Sequence, residues 1–248
     1  MDGAMLAVSG LTETRGDCLD LLAELVMAPV FPRKELRMLK RRERVMLRYS
    51  ETDPAYRADL ELRHRLFQTH PYARPATGGP KDVRNLSRDD LALWWQTIAR
   101  PDAAVLYLGG DCSADQAFQW AEQTFGDWAR GSDVKAVTLP GAPEAEPTRV
   151  YLADVPGAVQ SQIRVGQVSL APDDPDYFAA KVFSEVYGGS FGSRLNMALR
   201  GEQGRTYGAY GGFTFQRCAG YLDSSVSTQT KQTAEALKSV LDVLNGMC

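Results

Sequence analysis

Residues 188–213 read GGSFGSRLNMALRGEQGRTYGAYGGF, and residues 219–229 read AGYLDSSVSTQ. Gly188, Gly189 and Gly192 stand just before the helix-forming run SRLNMALR, where a chain turning between helices needs residues free of Cβ constraints. No G-K-[S/T] follows them, and their spacing does not fit a dinucleotide fingerprint, so the glycines read as a turn and not as a phosphate cradle. Helical spacing then predicts a helix over about 192–200. Residues 207–215 and 219–228 read as a strand pair that turns at Cys218-Ala219-Gly220.

Working outward, short strands are expected at about 149–153 and 160–168, a helix at about 174–188, and a last helix over Thr230–Gly246. Upstream, Gly131–Thr148 carries Pro140, Pro143 and Pro147 with few apolar anchors and reads as an interdomain linker. Residues 5–9 read as a strand, and about 17–27 as a helix with Leu19, Leu22, Leu25 and Val26 at helical spacing. Pro29 and Pro32 break it. A strongly basic helix runs from Pro32 to about Ser50, and another starts at Asp53-Pro54 and ends near Gln68. The sequence SRDD at 87–90 and the pair Ser113/Gln116 resemble capping boxes, each opening a helix. Between those helices AAVLYLG, residues 103–109, reads as a buried strand. The expected division is residues 1–130, a linker at 131–148 and residues 149–248, in an α+β architecture with sheets covered by helices.

The bulk numbers exclude several classes. Hydrophobic residues at 44% and charged residues at 24% fit a globular chain, and a net charge of −3 implies no general attraction to nucleic acid. Cys18, Cys112, Cys218 and Cys248 form no C-x-x-C pair, so a thiolate zinc site is not expected, and buried free thiols are the simplest reading. The sequence holds no apolar run long enough to span a membrane and no signal-peptide pattern at its start. A soluble chain is expected, with its compartment, cytoplasm or periplasm, open. Both ends read as those of a fragment of a longer protein.

Two stretches carry a family resemblance. FPRKELRMLKRRERVMLRYSETDPAYRADLELRHRLFQTHPYARPATG, starting at Phe31, with the SRDDLALWW and VLYLGGD segments after it, resembles the latter part of the first domain of the pitrilysin/insulinase-type (M16) zinc metallopeptidases. The 188–213 and 219–229 stretches resemble the signature of a later domain of that family. The resemblance implies two LuxS/M16 metallohydrolase-like α/β sandwich domains, the first truncated at its N-terminus and the second at its C-terminus. In active members two such domains form half of a peptide-enclosing chamber. There an H-x-x-E-H helix and a glutamate from a later helix hold a zinc ion with one open position for water.

Tested residue by residue, that chemistry is incomplete here. The only histidines are His64 and His70; six residues apart, they cannot supply an i, i+4 ligand pair, and they read as a helix-surface and a loop residue. On the resemblance, the third ligand's place is taken by Met46, and a supporting glutamate's place, seven residues earlier, by Leu39, with Leu36 on the same side. Seven residues are two helical turns, so an apolar stripe stands where carboxylates are expected. A thioether is a poor zinc ligand beside a carboxylate. No cofactor is therefore expected in this chain, with zinc expected in a partner half. Arg33, Lys34, Arg37, Lys40, Arg41, Arg42, Arg44 and Arg48 read as a solvated face of the same helix, with a basic lining for acidic peptides as the alternative.

The resemblance further implies that Arg200 and Tyr207 match the family's substrate-binding arginine and oxyanion-donating tyrosine; Arg205 and Tyr210 lie nearby without that match. The expectation is a non-catalytic half that lends Arg200 and Tyr207 to a zinc-bearing M16 subunit or half acting on unfolded peptides, without nucleic acid or a membrane span. The alternative is a non-proteolytic structural subunit of a larger complex. Trp94, Trp95, Trp120 and Trp128 read as core or interface aromatics.

Overall fold

The computed structural model describes residues 3–130, 138–144, 147–202, 206 and 208–247. Its helices are α1 (Arg15–Met27), α2 (Arg33–Ser50), α3 (Pro54–Phe67), α4 (Pro80–Asn85), α5 (Arg88–Ile98), α6 (Ala114–Phe125), α7 (Tyr177–Tyr187), α8 (Arg194–Asn196) and α9 (Thr233–Asn245). Its strands are β1 (Gln160–Ser169), β2 (Ala209–Phe215) and β3 (Gly220–Gln229). The chain divides into two compact units, Met1–Val45 with Pro80–Val137, and Met46–Gly79 with Thr138–Cys248. Residues 46–79 thus group with the second unit, across the proline-rich stretch at 131–148.

The first unit is helical. Both expected capping boxes form: the Ser87 and Ser113 hydroxyls accept from the backbone N–H of Asp90 and Gln116, whose side chains accept from the Ser87 and Ser113 N–H in return. Long side chains tie segments together through backbone carbonyls. Trp95 Nε1 donates to Val26 O at 2.8 Å, and Arg88 Nη2 to Val30 O at 3.0 Å. Lys40 donates to the carbonyls of Arg84 and Leu86 at the end of α4, where a cation also meets the negative end of the helix dipole. The Arg15 guanidinium lies 3.8 Å over the Trp120 ring, joining α1 to α6.

The second unit is organised by β3. In the antiparallel order β1-β3-β2, Ile163 pairs with Val226, Gly166 with Asp223, and Ala209 with Val226. Burial alternates along β3: Leu222, Ser224, Val226 and Thr228 are buried, and the residues between them are half-buried. The buried set packs with Tyr187, Leu195, Leu199, Ala236 and Val240 from the α7, α8 and α9 side. The opposite face receives α3. Leu62 of α3 fills the space over Gly166, and Phe67 meets Tyr221 edge-on, centroids 5.8 Å apart. A three-layer packing results, as expected for sheets covered by helices.

Three expected strands do not form. Residues 5–9, 103–109 and 149–153 are extended or irregular, and the only sheet among the described residues is the three-stranded one. The buried strand expected at 103–109 is instead exposed, with Val105 74% and Tyr107 87% accessible. A strand's backbone groups are satisfied by a neighbour, and no described segment pairs with these. The helix expected over 192–200 also differs: after α8 the chain widens into a π-turn at Met197–Glu202. Cys18, Cys112 and Cys218 are free and half-buried, less buried than expected; Cys248 lies outside the described residues. Among the described residues no helix is long and apolar enough to cross a membrane.

Charges sit under α3. Arg164 on β1, itself buried, donates to Asp59 on α3, and also to Ala55 O at 3.2 Å. Asp223 faces the same cluster. Burial pushes its carboxyl up to about 6, the Asp59 charge adds to this, and Arg164 and Arg63 oppose it. A carboxyl whose pKa is raised on folding binds its proton more tightly folded than unfolded. Its contribution to stability therefore falls as pH rises from about 4 to about 6. Asp223→Asn removes the group, so the variant should gain on the wild type across that window. Because the carboxyl keeps some solvent contact, the gain is on the order of 1–2 kcal/mol, less than the full shift converts to. Urea unfolding of both proteins at pH 4 and pH 7 measures this; an equal difference at both pH values would contradict it.

Candidate functional site

Residues 188–202 form a turn, the short helix α8 and a π-turn, and residues 209–213 belong to β2. Gly188 closes α7 and bridges to Gly211 of β2, whose N–H donates to the Gly188 carbonyl at 3.3 Å. A Cβ on Gly188 would lie 2.8 Å from the Gly211 Cα and nearer still to its N and O, so two backbones meet where no side chain fits. The turn expected at these glycines forms, while this contact, whose partner is 23 residues away, has no local signal in the sequence. Ser184 clips the same two elements: its hydroxyl accepts from the Phe213 N–H at 2.9 Å and donates to Ala180 O at 2.8 Å. Tyr187 donates or accepts a 2.6 Å hydrogen bond with Ser224, and burial pushes its phenol up to about 12.

On this base stands α8. Leu195 and Leu199 are fully buried in the core below it, while Arg194 Nη1 reaches the Gly246 carbonyl at 3.1 Å, at the end of α9. Arg200 is consequently exposed on the π-turn, one residue beyond the buried Leu199. Its guanidinium lies 4.3 Å over the ring of Phe191, itself 69% exposed. Tyr207 and Arg205 lie outside the described residues. Tyr210 stands exposed on β2.

Leu39 and Met46 lie on α2 as expected, and both are about half exposed, at 46% and 53%. The face between them is not wholly apolar. Glu35 and Glu43 stand four residues to either side of Leu39, which places them on its side of the helix. Glu43 accepts from Arg42 at 3.3 Å. Among the described residues no three His, Cys, Asp or Glu side chains gather to hold a metal ion. The cations are mostly solvent-exposed, with Lys40 and Arg44 half-buried.

His64 is exposed on α3, where the sequence places it. His70 is a loop residue but, against expectation for a loop, buried at 5%. Its Nδ1 accepts from the Tyr72 N–H at 3.1 Å, which leaves Nε2 to donate to Pro140 O at 3.0 Å. Both ring nitrogens are occupied, so the imidazole anchors the segment around Pro140. That partner is 70 residues away, and nothing local in the sequence announces it.

Residues 85–248 match the peptidase M16 inactive domain, more than half of the chain, and the chain belongs to that family. It is 29% identical over 241 residues to the non-peptidase homolog YmxG of Helicobacter pylori, covering 94% of this chain and 54% of that protein. It is 22% identical over 157 residues to a probable mitochondrial-processing peptidase subunit beta of Schizosaccharomyces pombe, covering 60% of this chain and 34% of that one. The crystal structure of a peptidase M16 inactive domain from Pseudomonas fluorescens superposes with a TM-score of 0.85 at 29% identity, covering 95% of this chain and 56% of that one. The chain thus spans about half the length of YmxG and of the Pseudomonas structure.

The Gly188 contact is directly testable. Gly188→Ala forces α7 and β2 apart, and the variant should lose about 2–3 kcal/mol, the cost of overpacking a tight site. A urea midpoint unchanged from the wild type would show that the two backbones are not held together there.

Proposed function

We propose that this chain is the zinc-free half of an M16-type peptidase, which lends Arg200 and Tyr207 to a zinc-bearing partner half for the hydrolysis of unfolded peptides. The observation that supports the reading is the exposure of Arg200 on the π-turn that follows α8, one residue beyond the buried Leu199. A guanidinium so placed can donate charge-assisted hydrogen bonds to a substrate backbone carbonyl. Tyr207 would donate a hydrogen bond from its hydroxyl to the oxyanion that develops on the substrate carbonyl, and a zinc ion held by the partner half would supply the activated water. The apolar Leu39 and Met46 fit a half that has given up the metal. The subunit designation of the Schizosaccharomyces relative agrees with a function shared between chains.

The name of the Helicobacter relative, a non-peptidase homolog, favours a second reading. In it the chain is a structural subunit of a larger complex, and Arg200 and Tyr207 are incidental.

The two readings separate on the assembled pair. With a zinc-bearing half present, Tyr207→Phe should lower kcat about 100-fold or more, the usual loss for one oxyanion donor. Arg200→Ala should lower kcat/KM by about 10-fold or more, the cost of a lost hydrogen bond from a charged group. Undiminished kcat and KM in both variants would rule out the peptidase role. Recovery of the full-length protein without any zinc-bearing subunit would favour the structural one.

A further inference from the structure

Arg200 has a long side chain with many rotamers, and on an exposed turn it would sweep a wide volume. Its guanidinium is nevertheless found 4.3 Å over the Phe191 ring. Phe191 sits in the turn between α7 and α8, where the Ser193 N–H closes back on Ser190 O at 3.1 Å. At 69% exposed, the ring contributes little to the core, and no ring pairing joins it to another aromatic among the described residues. An aromatic face turned to solvent and covered by a cation gives the ring one evident task. Its negative π-face holds the guanidinium by cation–π attraction while leaving the edge N–H donors free. The two residues reach one another from opposite ends of the α8 region, Phe191 from the turn before it and Arg200 from the π-turn after it. The wider π-turn shifts Arg200 relative to a regular helix, in which it would point elsewhere around the axis.

We propose that Phe191 is a positioning residue that presents the Arg200 guanidinium to the backbone carbonyl of a bound peptide. The proposal rests on the peptidase reading of Arg200. An arginine already parked in its working orientation loses less freedom when substrate arrives, so the benefit appears in binding. The Phe191 ring is not itself expected to touch the reacting atoms.

Two measurements test this. In the isolated chain, NMR of the Arg200 side chain should show its Cδ protons shifted upfield by the ring current, and Phe191→Leu should abolish that shift; an unshifted Arg200 in the wild type would overturn the proposal. In the assembled pair with a zinc-bearing half, Phe191→Ala and Phe191→Leu should raise KM about 2- to 5-fold with kcat nearly unchanged, the scale of an exposed cation–π contact. Phe191→Tyr should restore the wild-type KM, since its ring keeps the π-face. In an Arg200→Ala background, Phe191→Ala should add nothing. If Phe191→Leu is as good as phenylalanine, or if Phe191→Ala acts equally with and without Arg200, the ring does not position the arginine. If Arg200→Ala itself changes neither kcat nor KM, the peptidase reading falls and takes this one with it. If Arg200→Ala impairs binding while Phe191→Ala leaves it intact, only the positioning role is lost.

Discussion

Strand β3 must be covered on both faces, and most of the second unit follows from that requirement. Of its alternating buried residues, Leu222 and Val226 would leave apolar area in water if uncovered, and α7, α8 and α9 close over them, Tyr187 of α7 pairing with the Ser224 hydroxyl that is buried with them. The other face carries Tyr221 and Asp223, which need partners of a different kind. Helix α3 supplies Phe67 for the first and a mixed-charge setting of Asp59 and Arg63 for the second. The segment before the proline-rich stretch is therefore held by the strand after it. Burying Asp223 is unfavourable in isolation; Arg164 and Arg63 limit the penalty, and the raised carboxyl is the part they do not offset.

Placement of Arg200 descends from the same sheet. Gly188 against Gly211 sets how closely α7 can approach β2, and Ser184 fixes the register of that approach. From there the chain has a short turn in which to reverse before Leu195 and Leu199 enter the core. Burying both leucines leaves the next side chain, Arg200, outside. A surface arginine is thus located by apolar residues and glycines, which is why loss of backbone fit at Gly188 and loss of the guanidinium are separate kinds of damage.

What the sequence made legible, and what it did not, divides along a physical line. Features whose cause lies within a few residues were readable: the capping boxes at Ser87 and Ser113, the proline stop after α1, and the hairpin of β2 and β3. Features that need a distant partner were not. Residues 103–109 have every mark of a strand except a neighbour to pair with, and propensity cannot provide one. His70 is a loop residue as expected, but its burial was not legible, because Pro140, which it anchors, is far along the chain. The contact between Phe191 and Arg200 has no local signal either, since it joins residues on the two sides of α8. On α2, Glu35 and Glu43 share a side with Leu39, a placement that helical spacing alone specifies.

Those glutamates do not by themselves make a metal site. A zinc site needs several ligands to converge within tenths of an ångström, so its affinity collapses when one is replaced, however many acids remain nearby. Glu43 beside Leu39, paired with Arg42, is a carboxylate without the company that would make it a ligand. A guanidinium is different, because it donates from a single side chain and needs only to be aimed. The α2 face and the region around Arg200 rest on different elements and different forces, so a change in one need not disturb the other. The stack on Phe191 is what aiming requires: a contact that restrains the charge without neutralising it. A carboxylate in the place of that ring would hold the arginine more strongly and leave it less to offer a substrate carbonyl.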